Sequence, residues 1–301
     1  MRVQINRILC ATDFSDFSNR TISFGMALAR EFRATLFICH VVELPFAGMY
    51  GEVQLDPIAQ QERMIAYAHE NLSRLVNDQD VEWEPLVAIG HPADEIARLV
   101  TQVNADLAIS ATHGRSGLKR LIIGSVTERL MRTLPCPLLI VRDQAISLSQ
   151  QVGAGFHPKK ILVGCDFSRD SDLAFQYGIS LAQEFEAELH LVHVIEPPIY
   201  PDLQNAGDAQ GAEHSRIAPL LERKMMGMVP EDARHWCFPV TVLMEGKPAE
   251  EISRYAEEKG MDLIVLGVRG QDLVESLFVG STTDRVARQA PCPVLSVNPL
   301  I

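Results

Sequence analysis

Long apolar runs are missing from this 301-residue chain: no window approaches the roughly 20 consecutive residues that cross a bilayer. Met1 to Arg7 leads straight into a strand-like run without a signal-peptide core, so a soluble, cytoplasmic protein with no membrane association is expected. Positive charge is also in short supply. The 27 Lys and Arg residues against 39 Asp and Glu give a net charge of −12, which repels a phosphate backbone on average and argues against nucleic acid as a partner. The six cysteines, Cys10, Cys39, Cys136, Cys165, Cys237 and Cys292, form no CxxC pair and no Cys/His cluster of zinc spacing. They read as buried free thiols in a reducing compartment, and no metal site of protein ligands is expected. What remains is globular: 47% apolar and 22% charged residues, in a length that suits two domains of ordinary size.

Sliding the sequence on itself shows a duplication. At a shift of 153, RILCATDFS (Arg7 to Ser15) falls on KILVGCDFS (Lys160 to Ser168), so that Asp13 meets Asp166 and His40-Val41 meets His193-Val194. At a shift of 156, GHPADEI (Gly90 to Ile96) falls on GKPAEEI (Gly246 to Ile252), and PCPLLIV falls on PCPVLSV. The three extra residues of the second half belong to the stretch that includes Tyr200 to Ser215, whose Gly, Asn, Asp and Pro content predicts a variable loop. Asp143 to Pro158 reads as the connection between halves. The expected division is residues 1–145, a linker at 146–158, and residues 159–301.

Within each half, short apolar runs alternate with segments of helical period. Leu36–Val42, Asp106–Ser110 and Pro137–Val141 are too apolar to alternate faces, which suits strands covered on both sides. Asn19–Phe32 carries Ile22, Met26, Ala29 and Phe32 at helical spacing. The expected fold class is α/β: two tandem, doubly wound parallel sheets of Rossmann-like type, paired as an intramolecular pseudo-dimer. Ligands of such sheets lie beyond the carboxyl ends of the strands, which singles out Asp13, Asp166, Val41 and Val194.

The segment leaving the fourth strand of each half is rich in glycine. GVRGQDLVESLFVGST (Gly267 to Thr282) and ATHGRSGLKRLIIGSVT (Ala111 to Thr127) share a glycine, nine intervening residues, and then Gly-Ser. Neither is GxGxxG or a Walker loop. Ser125 to Glu128 and Ser281 to Asp284 predict capping boxes, hence helix starts, and a helix start offers amides and a partial positive charge to a phosphate. His113 stands where the second half has Arg269, and Lys119 and Arg120 follow; each is a candidate phosphate donor or a solvated loop charge.

The G-x2-G-x9-G-[ST] spacing, the strand-ending DFS and the closing PCPV strand resemble the universal stress protein family, over nearly all of both halves. The resemblance implies ATP held by the loop, with adenosine received at the ends of the first two strands; other members of the family lack the loop and bind no ATP. Carried over residue by residue, it assigns Asp166, Val194, Gly267, Gly270, Gly280, Ser281 and Thr282 to a site in the second half. It assigns Asp13, Val41, Gly114, Gly124 and Ser125 to one in the first, where Ala111 replaces the first glycine. The second half is expected to bind ATP more tightly.

The aspartates either position the nucleoside, approach an accompanying Mg ion, or cap a helix. His40 and His193 have no repeated Ser or Cys nucleophile beside them, so a structural role is expected, and no catalytic residue is assigned. The implied function is an ATP-binding stress-response protein that turns nucleotide over slowly at most. The alternative is a nucleotide-independent scaffold acting through protein contacts. An adenylating enzyme would carry a Ser/Gly loop after the first strand, where this chain has Asp-Phe. Protein partners, and homodimerisation of the two-domain chain, are left open by the sequence.

Overall fold

Every strand expected from an apolar run forms, and in each half the first four strands are each followed by a helix. A computed structural model describes residues 3–43, 57–76, 80–112, 123–142, 156–196, 207–235, 237, 239–270 and 279–298. The chain divides into two compact units whose main bodies are Gln4–His157 and Pro158–Val297.

The first unit runs β1 (Arg7–Ala11), α1 (Asp16–Phe32), β2 (Thr35–Val42), α2 (Pro57–Leu75), β3 (Trp83–Ile89), α3 (Pro92–Gln102), β4 (Leu107–Ala111), α4 (Ser125–Thr133) and β5 (Leu138–Val141). Its strands lie in the order β3-β2-β1-β4-β5, all parallel. The second unit repeats this with β6 (Lys160–Gly164), α5 (Arg169–Glu184), β7 (Glu188–Ile195), α6 (Gly207–Met228), β8 (Val240–Glu245), α7 (Pro248–Lys259), β9 (Leu263–Gly267), α8 (Ser281–Gln289) and β10 (Val294–Val297). Its order is β8-β7-β6-β9-β10, again parallel. Each unit is therefore a doubly wound sheet whose winding reverses between its first and fourth strands, and a crevice opens there at the strands' carboxyl ends.

Burial accounts for the strand composition. All five residues of β4 are buried, as are Ile161 to Gly164 in β6 and all of β10. In the second unit Ile252 of α7 and Val286 of α8 close one face of the sheet over Leu162, Val192 and Ile264. Truncating one of these to alanine costs about 2–5 kcal/mol, because the packed surroundings relax only in part.

Two expectations are corrected. Helix α1 begins at Asp16 rather than Asn19, because the Ser15 hydroxyl caps it by accepting from the Ser18 amide at 3.2 Å. Its buried stripe accordingly takes in Phe24 and Leu28 with Ile22 and Ala29, while Met26 and Phe32 are half-buried. The expected loop from Tyr200 to Ser215 is helical from Gly207 onward. The good helix formers Ala209, Gln210, Ala212 and Glu213 extend a helix anchored downstream by the buried Met225, and they outweigh the scattered turn residues. No helix among the described residues is long and apolar enough to cross a membrane.

Candidate functional site

The crevice of the second unit is built from three strand ends. Strand β6 stops at Gly164, and Cys165 still pairs its amide with the Val192 carbonyl at 2.8 Å. The chain then turns: Asp166 Oδ1 accepts from the Ser168 amide at 2.9 Å, Phe167 adopts φ +62°, and Ser168 caps α5. The first unit repeats the turn with Asp13, Phe14 at φ +63° and Ser15. A left-handed phenylalanine costs about 1–2 kcal/mol, so this turn occurs twice only because its surroundings hold it.

Those surroundings are aromatic and polar. His193 Nδ1 meets the Cys165 carbonyl at 2.6 Å, and its ring lies 4.9 Å from Phe167. His40 Nδ1 meets the Thr12 carbonyl at 2.9 Å and its ring stacks on Phe14 at 4.1 Å. A carbonyl only accepts, so each Nδ1 carries the proton and each imidazole is a brace for the turn. Asp13 is drawn further into the turn: its Oδ1 also accepts from the hydroxyls of Ser15 at 2.6 Å and Ser18 at 2.5 Å. The cap of each helix is therefore the serine, Ser15 or Ser168, and the aspartate weighed as a cap instead braces the turn that presents it.

Strand β9 ends at Gly267, and its glycine answers to packing. A Cβ there would lie 2.6 Å from the carbonyl carbon of Asp170 and 2.8 Å from its oxygen, closer than such atoms approach. Gly267 has no positive φ, so a side chain is excluded by contact and not by dihedral strain. Ala111, its counterpart on β4, is 8% exposed and pairs in register with Val141. The alanine of the first half therefore carries no backbone strain.

Helix α8 opens on this crevice, and here the expected capping boxes are corrected in both halves. The N-cap residues are Gly280 and Gly124, and neither α8 nor α4 receives a side-chain cap bond. Ser281 and Ser125 occupy the first helical position, where a hydroxyl does not reach the helix's own free amides. The threonine two residues on ties the helix down instead: Thr283 Oγ1 donates to the Gly267 carbonyl and Thr127 Oγ1 to the Ala111 carbonyl, both at 2.7 Å. Gly280 and Gly124 donate their own amides to the carbonyls of Val268 and Thr112, at 2.7 and 2.6 Å. A glycine is suited to this approach, since a Cβ at either position would meet the same carbonyl oxygen at 3.2 Å.

Asp166, Val194, Gly267, Gly270, Gly280, Ser281 and Thr282 line one cavity of about 500 Å³. In the first unit Asp13, Val41, Gly124 and Ser125 line a cavity of about 1000 Å³. Gly114, His113, Lys119 and Arg120 lie outside the described residues. Arg63, Met64 and Tyr67 of α2 also border the first cavity, and Lys224 of α6 stands 3.9 Å over the Phe167 ring. No repeated pattern marked these helix residues in the sequence. Cys165 borders the second cavity with its thiol pushed up to about 11, chiefly by burial. All six cysteines are free and buried, Cys136 and Cys292 included. No cluster of three or more metal-ligating side chains occurs among the described residues.

Comparison with known proteins agrees with this architecture. The family model described as universal stress protein family matches twice, at residues 4–142 and 157–298. A universal stress protein of Methanocaldococcus jannaschii is 34% identical over 144 residues, covering 46% of this chain and 82% of its own length. The universal stress protein E homolog of Haemophilus influenzae is 27% identical across 76% of this chain and 73% of its own. The crystal structure of a universal stress protein from Archaeoglobus fulgidus, 20% identical, superposes with a TM-score of 0.69 over 98% of this chain and 99% of that one, a likeness of fold. With both of its halves matched, the chain belongs to the universal stress protein family.

Proposed function

We propose that the second unit binds ATP, with the polyphosphate at the amino terminus of α8 and the adenosine between Asp166 and Val194. The observation that carries this reading is the start of α8: a glycine N-cap without a side-chain cap, facing a cavity that Gly267, Gly270 and Asp166 share. Uncapped first-turn amides and the helix dipole supply the donors and the partial charge that a phosphate requires, in a chain whose net charge of −12 otherwise opposes an anion. Bound ATP would supply its phosphates as ligands to any accompanying Mg ion, with Asp166, which lines the same cavity, as a carboxylate candidate. The first unit offers Asp13, Val41, Gly124 and Ser125 to a similar ligand, held less tightly.

The nucleotide serves as a structural or regulatory ligand in a stress-response protein of the cytoplasm, with unit boundaries near 145 and 159. Arg269, which also borders the cavity, gives its Nε to Asp170 at 3.0 Å, so part of its guanidinium is committed within the protein, in keeping with turnover that is slow at best. Calorimetric titration of the full chain with Mg-ATP is the test: saturable heat with the second unit filled first is expected. The absence of heat would favour the scaffold reading. One observation speaks for that second reading: each unit exposes a large apolar side chain on the helix after its second strand, Tyr67 on α2 and Leu220 on α6, each 62% exposed.

A further inference from the structure

The geometry points to Asp170 as the positioning residue of the second unit's glycine loop, an inference that rests on the nucleotide reading above and extends it. Asp170 sits in the first turn of α5 and is 7% exposed. Its Oδ2 accepts twice from one residue across the crevice, from the Arg269 amide at 3.1 Å and from Arg269 Nε at 3.0 Å. From the same turn, the Ser168 hydroxyl donates to the Arg269 carbonyl at 3.5 Å. The backbone of Arg269 is thus held on both sides, and its guanidinium is held with it.

The neighbouring glycines belong to the same contact. Gly267, two residues earlier, lies against the Asp170 backbone so closely that no side chain fits. Gly270, one residue later, comes so near Asp166 that a Cβ there would be 2.9 Å from Oδ2. The turn leaving β9 is therefore fastened to the start of α5 before the chain enters the loop. A loop that presents amides to a polyphosphate binds more tightly when its approach is ordered in advance, because the ordering cost no longer opposes binding.

The first half has none of the three residues. Phe17 stands at the position of Asp170 under the shift of 153, and Ala111 and His113 at those of Gly267 and Arg269 under the shift of 156. The difference between the two sites follows from this missing latch, and the Ala111 methyl is one part of it.

The test uses the full chain with Asp170→Asn, which keeps the shape and one acceptor but removes the charge, and with Arg269→Lys, which keeps the charge but removes Nε. Loss of a hydrogen bond to a charged group corresponds to roughly tenfold or more in an equilibrium constant. Hydrogen exchange of the Val268–Gly270 amides in ligand-free protein is expected to quicken by about tenfold in both variants, with the thermal melt of the rest of the chain retained. Mg-ATP affinity at the second unit is expected to weaken by about the same factor. Transplanting the latch with Phe17→Asp, Ala111→Gly and His113→Arg is expected to tighten nucleotide binding in the first unit, a gain that a merely structural aspartate would not confer. Unchanged exchange and unchanged affinity in both variants would overturn the assignment. Failure of the unaltered chain to bind Mg-ATP would sink the nucleotide reading alone, and the exchange arm would then decide whether Asp170 holds the turn.

Discussion

The imidazole of His193 is fastened to the carbonyl of Cys165, Nδ1 to oxygen at 2.6 Å, across the gap between β7 and the turn that follows β6. Because the proton on Nδ1 is committed to that carbonyl, His193 is a strut that holds Phe167 in its left-handed conformation. His193→Ala is expected to destabilise the second unit by about 1–3 kcal/mol, the cost of leaving a buried carbonyl without its donor. His193→Asn, which retains a donor, should recover part of the loss. Hydrogen exchange read separately over the two units measures this, and an equal effect on both units would contradict it.

Gly267→Ala is expected to cost the second unit about 1–3 kcal/mol, since the new methyl meets backbone atoms of Asp170 that cannot swing aside. The reverse change in the first half, Ala111→Gly, should cost no more than about 1 kcal/mol, the entropic penalty of glycine in a strand. Urea unfolding of the two variants side by side checks the asymmetry. Equal losses would mean that the approach to Asp170 does not set the requirement for glycine.

A pH dependence is expected from His190, which is 5% exposed. Burial lowers its pKa below the ordinary 6.5, partly offset by Glu188, with Lys160 and Lys259 adding to the depression. Tyr255 hydroxyl meets its Nδ1 at 2.8 Å, and Glu188 Oε1 lies 3.0 Å from its Nε2 without hydrogen-bond alignment. As pH falls below about 6.5 the unfolded imidazole takes up a proton that the folded one resists, so stability is fully present above that pH and declines beneath it. The first half carries Phe37 and Leu99 at the corresponding positions. His190→Phe with Tyr255→Leu should flatten this part of the acid slope between pH 7 and 5; a slope unchanged in the double variant would rule out His190 as its source.

The thiols are expected to be inert in the folded protein. Burial pushes Cys165 up to about 11 and Cys10 and Cys136 to about 12, and raises Cys39 and Cys237 as well. At pH 8 a thiol of pKa near 11 is about one part in a thousand thiolate, so a chromogenic disulfide reagent should label the native chain slowly. All six cysteines should react at once in denaturant. Rapid native labelling of Cys165 would show the cavity beside it to be open to the reagent.

Much of this architecture was legible from residue patterns that the physics makes redundant. The apolar runs at Leu36–Val42 and Pro137–Val141 had to be strands covered on both faces, and the doubled DFS and Gly-Ser motifs placed both crevices at strand ends. The capping boxes were misread because the Ser-x-x-Glu/Asp pattern is the same whether serine is the cap or the first helical residue. The first helical bonds, from the Asp284 amide to the Gly280 carbonyl and from the Glu128 amide to the Gly124 carbonyl, place the cap one residue earlier. The Asp170–Arg269 latch was invisible for another reason: its partners are 99 residues apart and are not repeated in the first half. The helical start of α6 was hidden by turn-forming residues whose preference yields to an anchored helix.

The central claim is that the uncapped start of α8 is the seat of a nucleotide. Native mass spectrometry of the full chain titrated with Mg-ATP tests it most directly, with Gly280→Val alongside to fill the space where the helix opens. The account predicts a first adduct of one ATP per chain that is lost in the variant while the folded mass distribution is kept. An unaltered chain that takes up no nucleotide, or a first adduct that persists undiminished in Gly280→Val, would contradict it.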